Sequence, residues 1–180
     1  MPNIDLGIVL NDTVTYGYSD LVTRPTGRAV RGGVERLLPQ KDDEKPVVID
    51  FSSVRCLDIS CADEVVGKLL LQNGSGRYFV LTGVSEAHCE AIEQVMERHN
   101  MAVVAQNPDG SPKVLGPLDE PVRRAFGAVV QSDCGRASDV AGRLDISTEA
   151  AQPLLDELLT RRLVTRTQDQ FRALSACDSI

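Results

Sequence analysis

The stretch VVIDFSSVRCLDISCADEVVGKLL, from Val47 to Leu70, decides the fold of the first part of the chain. Its first five residues form a nearly continuous apolar run, which is typical of a strand buried on both faces of a sheet. From Ser60 to Leu71, apolar residues recur at helical spacing and predict an amphipathic helix. Ser60 followed by Asp63 matches a capping box, so we expect Ser60 to cap that helix.

Strand and helix patterns alternate after this stretch. Residues 78–82 and 102–105 predict further buried strands, and Ser85 to Asn100 predicts an amphipathic helix between them. Val114-Leu115 predicts a short partner strand. This alternation indicates an α/β domain with a largely parallel sheet and helices packed on it.

The first forty residues are expected to add a hairpin and a helix. Residues 4–10 and 13–17 flank an Asn11-Asp12 turn and predict an opening β-hairpin. Thr23 to Leu38 predicts a helix with Pro25 in its first turn, although the Gly32-Gly33 doublet disfavours it.

The pattern changes after Gly116-Pro117, where we place a domain boundary. Three predicted helices cover residues 122–131, 137–144 and 147–161, the last two capped by Ser138 and Ser147. Two short apolar runs then predict a β-hairpin, and three helices followed by a hairpin indicate winged-helix architecture. We therefore expect an α/β domain at 1–116, a winged-helix (α+β) domain at 119–174 and a tail at 175–180.

Composition narrows the classes of function. The net charge of −7 makes the chain as a whole a poor binder of polyanions, since such binding depends on Lys and Arg. Five cysteines without CxxC spacing favour neither a disulfide framework nor a zinc site. The sequence shows neither a signal peptide nor a stretch of membrane-spanning length. We expect a cytoplasmic protein without metal, cofactor or membrane partner.

The stretch from Val47 to Leu70 resembles the core of STAS domains, the fold of anti-sigma-factor antagonists. In that family a buried strand ends in Asp-Leu-Ser, and a loop leads to Asp-Ser-Ser-Gly at the start of a helix. Asp50-Phe51-Ser52 matches the first element and Leu57-Asp58-Ile59-Ser60 most of the second, with Ile59 in place of a serine and Cys61 in place of the glycine. Asp63-Glu64 suggests the broader STAS-like group, which often lies beside histidine-kinase-type ATPases.

This resemblance implies a regulatory module with a STAS-like mixed sheet that binds a histidine-kinase-type or anti-sigma ATPase. It places Ser60 on the serine that a partner kinase phosphorylates in the family. An acidic surface formed by Asp63, Glu64, Glu86, Glu90 and Glu93 would favour a basic partner. The expected partner-binding residues are Arg55, Asp58, Ile59, Ser60, Asp63, Glu64, Arg24, Arg28 and Arg31.

Plainer interpretations stand beside this one. Ser60 can be a helix cap alone, Asp63 and Glu64 can complement the helix dipole, and the arginines can form a solvated face. No base, nucleophile or phosphate-binding glycine loop accompanies the carboxylates, so we expect no catalytic site. His88 and His99 point to different helix faces, which disfavours a metal site. Cys56 and Cys61 are either oxidation-sensitive or small core residues.

The segment from Ala137 to Leu174 resembles winged-helix transcription factors. This leaves a second hypothesis, a transcription regulator whose STAS-like domain senses a signal or dimerises. Its DNA contacts would come from Arg161, Arg162, Arg166 and Arg172. The outward positions of the third helix include Glu149 and Asp156, and acidic groups there weaken binding to phosphates. We therefore expect protein interaction and only weak DNA binding; the sequence predicts no oligomeric state.

Overall fold

The computed structural model describes residues 2–14, 17–40, 45–133 and 135–176. The chain divides into two compact units, with the boundary between Gly116 and Pro117. The last four residues of the expected tail, 177–180, lie outside the described residues.

The first unit contains a five-stranded sheet with helices. Its elements in chain order are β1 (Asn3–Asp5), α1 (Leu6–Thr13), β2 (Asp20–Leu21), α2 (Arg24–Leu37), β3 (Val47–Asp50), β4 (Cys56–Leu57), α3 (Ile59–Ala62), a π-helical segment (Asp63–Lys68), α4 (Leu69–Asn73), β5 (Phe79–Thr82), α5 (Glu86–His99), β6 (Val103–Gln106) and β7 (Pro112–Leu115). The sheet order is β1-β3-β5-β6-β7. Strands β1, β3, β5 and β6 are parallel, and β7 runs antiparallel to β6. This unit is therefore α/β with a mixed sheet.

The central strands β3, β5 and β6 follow the predicted pattern. Each buries its first three residues, as a parallel strand covered on both faces does. Each ends in a half-buried polar residue, so polar side chains collect at the carboxyl edge of the sheet. Gly83 turns the chain there with φ 65°, and a Cβ would lie 2.5 Å from the backbone nitrogen of Ser52, so only glycine fits.

The predicted opening hairpin is wrong. After the three residues of β1 the chain forms α1, because the Asp5 carboxylate accepts hydrogen bonds from the backbone of Gly7 at 2.7 Å and Ile8 at 3.2 Å. The buried residues Leu6, Val9 and Leu10 have the i, i+3, i+4 spacing of a helix face. Residues 15 and 16 of the expected second strand lie outside the described residues.

The helix expected from Ser60 is confirmed, but its cap is not. Together α3, the π-helical segment and α4 form one continuous helix over residues 59–73, called here the long helix. Its N-cap is Asp58, whose carboxylate accepts from the backbone of Cys61 at 2.7 Å. Ser60 lies inside the first turn. The prediction placed the cap two residues too late, because the Asp58 carboxylate accepts the backbone hydrogen bond in place of the Ser60 hydroxyl.

The described residues of the second unit, Pro117–Leu174, form three helices and a three-stranded antiparallel sheet. Its elements are α6 (Glu120–Ser132), β8 (Gly135–Arg136), α7 (Ala137–Leu144), α8 (Thr148–Thr160), β9 (Val164–Thr167) and β10 (Gln170–Ala173). The sheet order is β8-β10-β9. The predicted helices and hairpin are confirmed, and β8 was not predicted. Ser147 caps α8 as expected, but the cap of α7 is Arg136 and not Ser138.

Candidate interaction site at the start of the long helix

Asp58 joins the beginnings of two helices. One carboxylate oxygen accepts from the Ser60 hydroxyl at 2.8 Å and from the Cys61 backbone at 2.7 Å. The other accepts from the backbone N–H of Thr23, the residue before α2, at 2.9 Å. These contacts hold the pKa of Asp58 below its usual value although burial opposes them. Asp58 is therefore both a cap and a link between α2 and the long helix.

Thr23 has an unusual backbone. Its φ of 72° and ψ of 136° are rare for a β-branched residue, because Cβ crowds the backbone there. Besides the bond to Asp58, its carbonyl accepts from the Cys61 thiol at 2.9 Å and from the Gly27 backbone at 3.1 Å. Contacts from the start of the long helix thus hold Thr23 in a conformation it would not adopt alone.

The acidic pair of the long helix is buried, which corrects the expectation that it lies on the surface. Asp63 is 5 % exposed and Glu64 has no exposed area. Nη1 of Arg24 lies 2.7 Å from Asp63 and 3.1 Å from Glu64, and Nε of Arg31 lies 3.3 Å from Glu64. Lys68 also pairs with Glu64. The pair therefore joins the long helix to α2.

Electrostatics keep both buried carboxylates ionised. Burial alone would raise the pKa of Asp63, but hydrogen bonds from His99 and Arg24 outweigh it and hold that pKa below its usual value. Burial is likewise outweighed at Glu64, whose pKa is lowered by Lys68, Arg24 and Arg31. Asp63, Glu64, Arg24, Arg31, Lys68 and His99 form what is called here the ionic cluster, in which both carboxylates already have partners.

Two glycines allow this close packing. A Cβ on Gly27 of α2 would lie 2.9 Å from Cα of Cys61, and one on Gly67 would lie 2.7 Å from Cγ1 of Val95 in α5. Because these glycines have no Cβ atom, α2 and α5 pack close to the long helix. Asp63 and Glu64 are the first two residues of the π-helical segment. This helix geometry is rare and often marks functional sites.

Some of the expected partner-binding residues have side chains that are exposed to solvent. Arg55 is 73 % exposed in its side chain and pairs with Asp20 through two nitrogens at 2.9 and 2.6 Å. Ile59 is 38 % exposed, Arg28 is exposed, and Ser60 is half-buried. Arg24 is partly exposed, whereas Arg31 turns into the ionic cluster. The accessible surface at the start of the long helix therefore consists mainly of Arg55, Ile59 and Ser60.

Burial differs among the cysteines and histidines that the sequence singled out. Burial, followed by the charge of Asp58, raises the pKa of Cys61 to about 12, which favours the thiol over the thiolate. Cys56 is exposed. His88 is buried with its ring 5.9 Å from that of Phe51. Among the described residues, no group of three His, Cys, Asp or Glu is placed to hold a metal ion.

The arginines of the DNA-binding alternative are largely engaged within the second unit. Arg161 pairs with Glu157 at 2.9 Å, and Arg166 pairs with Asp169 at 3.3 Å while lying over the Phe171 ring. Arg162 is half-buried, and Arg172 is exposed on β10. The exposed side of α8 carries Glu149, Pro153, Asp156 and Thr160. Charge on this side of α8 is therefore acidic.

Several members of the ionic cluster were not predicted. Arg31 also contacts Glu35 at 2.9 Å and Gln72 at 2.7 Å. The i, i+4 spacings of Arg31–Glu35 and Glu64–Lys68 are visible in the sequence and could have indicated pairs. Nothing in the spacing of His99 or Gln72 points to this cluster, because the tertiary fold brings them there.

Comparison of the chain with protein-family models and with curated proteins finds no match. Within the described residues, the helices are too short or too polar for one of them to cross a membrane.

Proposed function

We propose that this chain is a non-catalytic, cytoplasmic regulatory protein that acts through protein–protein interaction. In this proposal the first unit is a STAS-like domain, and its partner is an ATPase of the histidine-kinase or anti-sigma type. The partner contacts the surface at the start of the long helix, formed by Arg55, Ile59 and Ser60. The second unit, as a winged-helix domain, extends or gates that contact.

One observation carries the proposal. The Ser60 hydroxyl is half-buried at the start of the long helix, where it donates to the capping carboxylate of Asp58 at 2.8 Å. Exposed Ile59 directly precedes Ser60 and exposed Arg55 lies five positions earlier, and in this proposal they supply an apolar and a charged contact for a partner. A phosphate on Ser60 would place about two negative charges next to Asp58. Such a change would alter both the charge and the shape of the proposed surface.

The order of elements in the second unit supports a winged-helix domain. Three helices are followed by the β9–β10 hairpin, and β8 between the first two helices pairs with β10. The acidic exposed side of α8 supports a role in protein contact over DNA reading, because phosphates repel Glu149 and Asp156.

The test is recovery of partners from nuclease-treated native lysate with the tagged chain, followed by mass spectrometry of the partners and of Ser60. We expect an ATPase of the kinase type, lost with Ser60→Asp and with Ile59→Asp. Ser75→Asp is the control, since it adds the same charge at an exposed serine of the first unit that lies beyond the other end of the long helix. Equal recovery by all variants, or no ATPase, would overturn the proposal.

A transcription regulator is the second candidate, favoured by the winged-helix-like order of elements alone. Its test is a gel shift with genomic DNA fragments at several salt concentrations. Binding that weakens with salt and disappears in Arg161→Ala/Arg162→Ala would favour this candidate. Retention of the protein on DNA together with failure to recover an ATPase would make it the leading one.

A further inference from the structure

We propose that Asp58 is a latch controlled by Ser60: a negative charge on Ser60 releases the Thr23 backbone, and with it the contact of Arg24 with Asp63 and Glu64. This inference rests on the proposed function, in which Ser60 is the modified residue. It adds a mechanism by which a change at the surface reaches the buried ionic cluster.

The first step of the latch is the competition for Asp58. The Ser60 hydroxyl is a donor to the oxygen that also accepts from the Cys61 backbone. Phosphoryl transfer from a nucleoside triphosphate forms an Oγ–P bond, breaks the bond to the bridging oxygen of the leaving diphosphate and releases the hydroxyl proton. The modified Ser60 then has no hydrogen to donate, and its charge repels the Asp58 carboxylate. Asp58 is thereby driven from its position.

The second step is the release of Thr23. Its N–H is held by the other oxygen of Asp58 at 2.9 Å, and its carbonyl by the Cys61 thiol at 2.9 Å. Because φ is 72° at a β-branched residue, the backbone relaxes once these contacts are lost. Thr23 precedes α2 directly, so its relaxation moves the first turn of that helix.

The third step reaches the buried carboxylates. Arg24 follows Thr23 and donates from Nη1 to both Asp63 and Glu64. Displacement of the first turn of α2 separates this guanidinium from the pair, while Arg31, about two turns further along α2, keeps its contact with Glu64. The latch therefore changes the surface at the start of α2 without dissolving the whole cluster.

The Cys61 thiol reports the state of the latch. It has no exposed area and donates to the Thr23 carbonyl, so it reacts only when that junction opens. Alkylation by N-ethylmaleimide, followed residue by residue with peptide mass spectrometry in the full chain, measures this opening. Cys89, buried in α5, is the internal control for general unfolding.

We expect Ser60→Glu to accelerate alkylation of Cys61 at least about tenfold with Cys89 unchanged. Ser60→Gln has nearly the same size without the charge and should change the Cys61 rate by less than about twofold. Asp58→Ala removes both acceptor oxygens of the latch without replacing Ser60 and should also expose Cys61, which keeps the test valid if Ser60→Glu misfolds. Equal rates in Ser60→Glu and Ser60→Gln, or a protected Cys61 in Asp58→Ala, would overturn the latch.

The partner-free design separates this inference from the proposed function. A protected Cys61 in Ser60→Glu, combined with loss of the ATPase partner in Ser60→Asp, would refute the latch and leave the interaction standing. An accessible Cys61 without any ATPase partner would support the latch and refute the proposed partner.

Discussion

Nε2 of His99 in α5 lies 2.8 Å from Oδ1 of Asp63, thirty-six positions earlier in the π-helical segment. The other oxygen of Asp63 faces Arg24 of α2. A single buried carboxylate therefore contacts helices on two sides of the long helix. The ionic cluster is a structural junction of three helices, and the following predictions test that role and the cap next to it.

Removal of the buried Glu64 carboxylate should be strongly destabilising. Glu64→Ala leaves the Arg24, Arg31 and Lys68 charges without their shared partner, and loss of one member of a buried pair lowers the free energy of unfolding by about 3 kcal/mol or more. The control is Glu35→Ala, which removes a half-buried partner of Arg31 and should cost less than about 1 kcal/mol. Urea unfolding measures both, and similar losses would contradict a special role of Glu64.

Two glycines of α2 should respond in opposite directions to alanine. Gly27→Ala places a Cβ 2.9 Å from the Cys61 backbone and should lower the free energy of unfolding by about 1–3 kcal/mol. At Gly32 the nearest atom to a Cβ is 3.9 Å away, so Gly32→Ala should stabilise the helix by up to about 1 kcal/mol. Thermal and urea unfolding of both variants check the sign; a stabilising Gly27→Ala would refute the close packing.

The identity of the cap can be tested by deletion. Asp58→Ala removes the acceptor for the Cys61 and Thr23 backbones and should lower the free energy of unfolding by about 1–2 kcal/mol. Ser60→Ala removes one hydroxyl donor and should cost less than about 1 kcal/mol. A larger loss from Ser60→Ala in urea unfolding would restore Ser60 as the cap.

Stability should depend on pH through His88. Burial lowers the pKa of His88 below its usual 6.5, so the unfolded chain binds this proton more readily than the folded one. Stability is therefore complete above pH 6.5 and falls as the pH drops below it. The test uses the variant His99→Gln, which leaves His88 as the remaining histidine. Between pH 7.5 and 5.5 it should lose more free energy of unfolding than His99→Gln/His88→Leu, by up to about 1.4 kcal/mol per pH unit. Urea unfolding at pH 7.5 and pH 5.5 measures the loss in each variant. If the variants with and without His88 lose the same free energy of unfolding, His88 is not buried in its neutral form.

The sequence predicted the central strands because their signal is local. The apolar run from Val47 and the one around Val80 each suffice to indicate a buried strand, and β3 and β5 form where expected. The prediction of a β-strand from Ile4 to Leu10 was wrong for a related reason. A short apolar run fits a strand and a helix equally, and the side-chain cap of Asp5 decides between them.

The site shows the same division. Sequence alone determined the alternation of strands and helices, the helix around the Asp63-Glu64 pair and the cap at Ser147, since hydrophobic periodicity and capping act over a few residues. The tertiary structure decided that Asp63 and Glu64 are buried and not exposed, because Arg24, Arg31 and His99 reach them across helix contacts that glycines permit. It also decided that Asp58, bound to Thr23 thirty-five positions away, caps the long helix. Charge compensation across such distances depends on which helices pack together, and that is set by the folded core and not by local spacing.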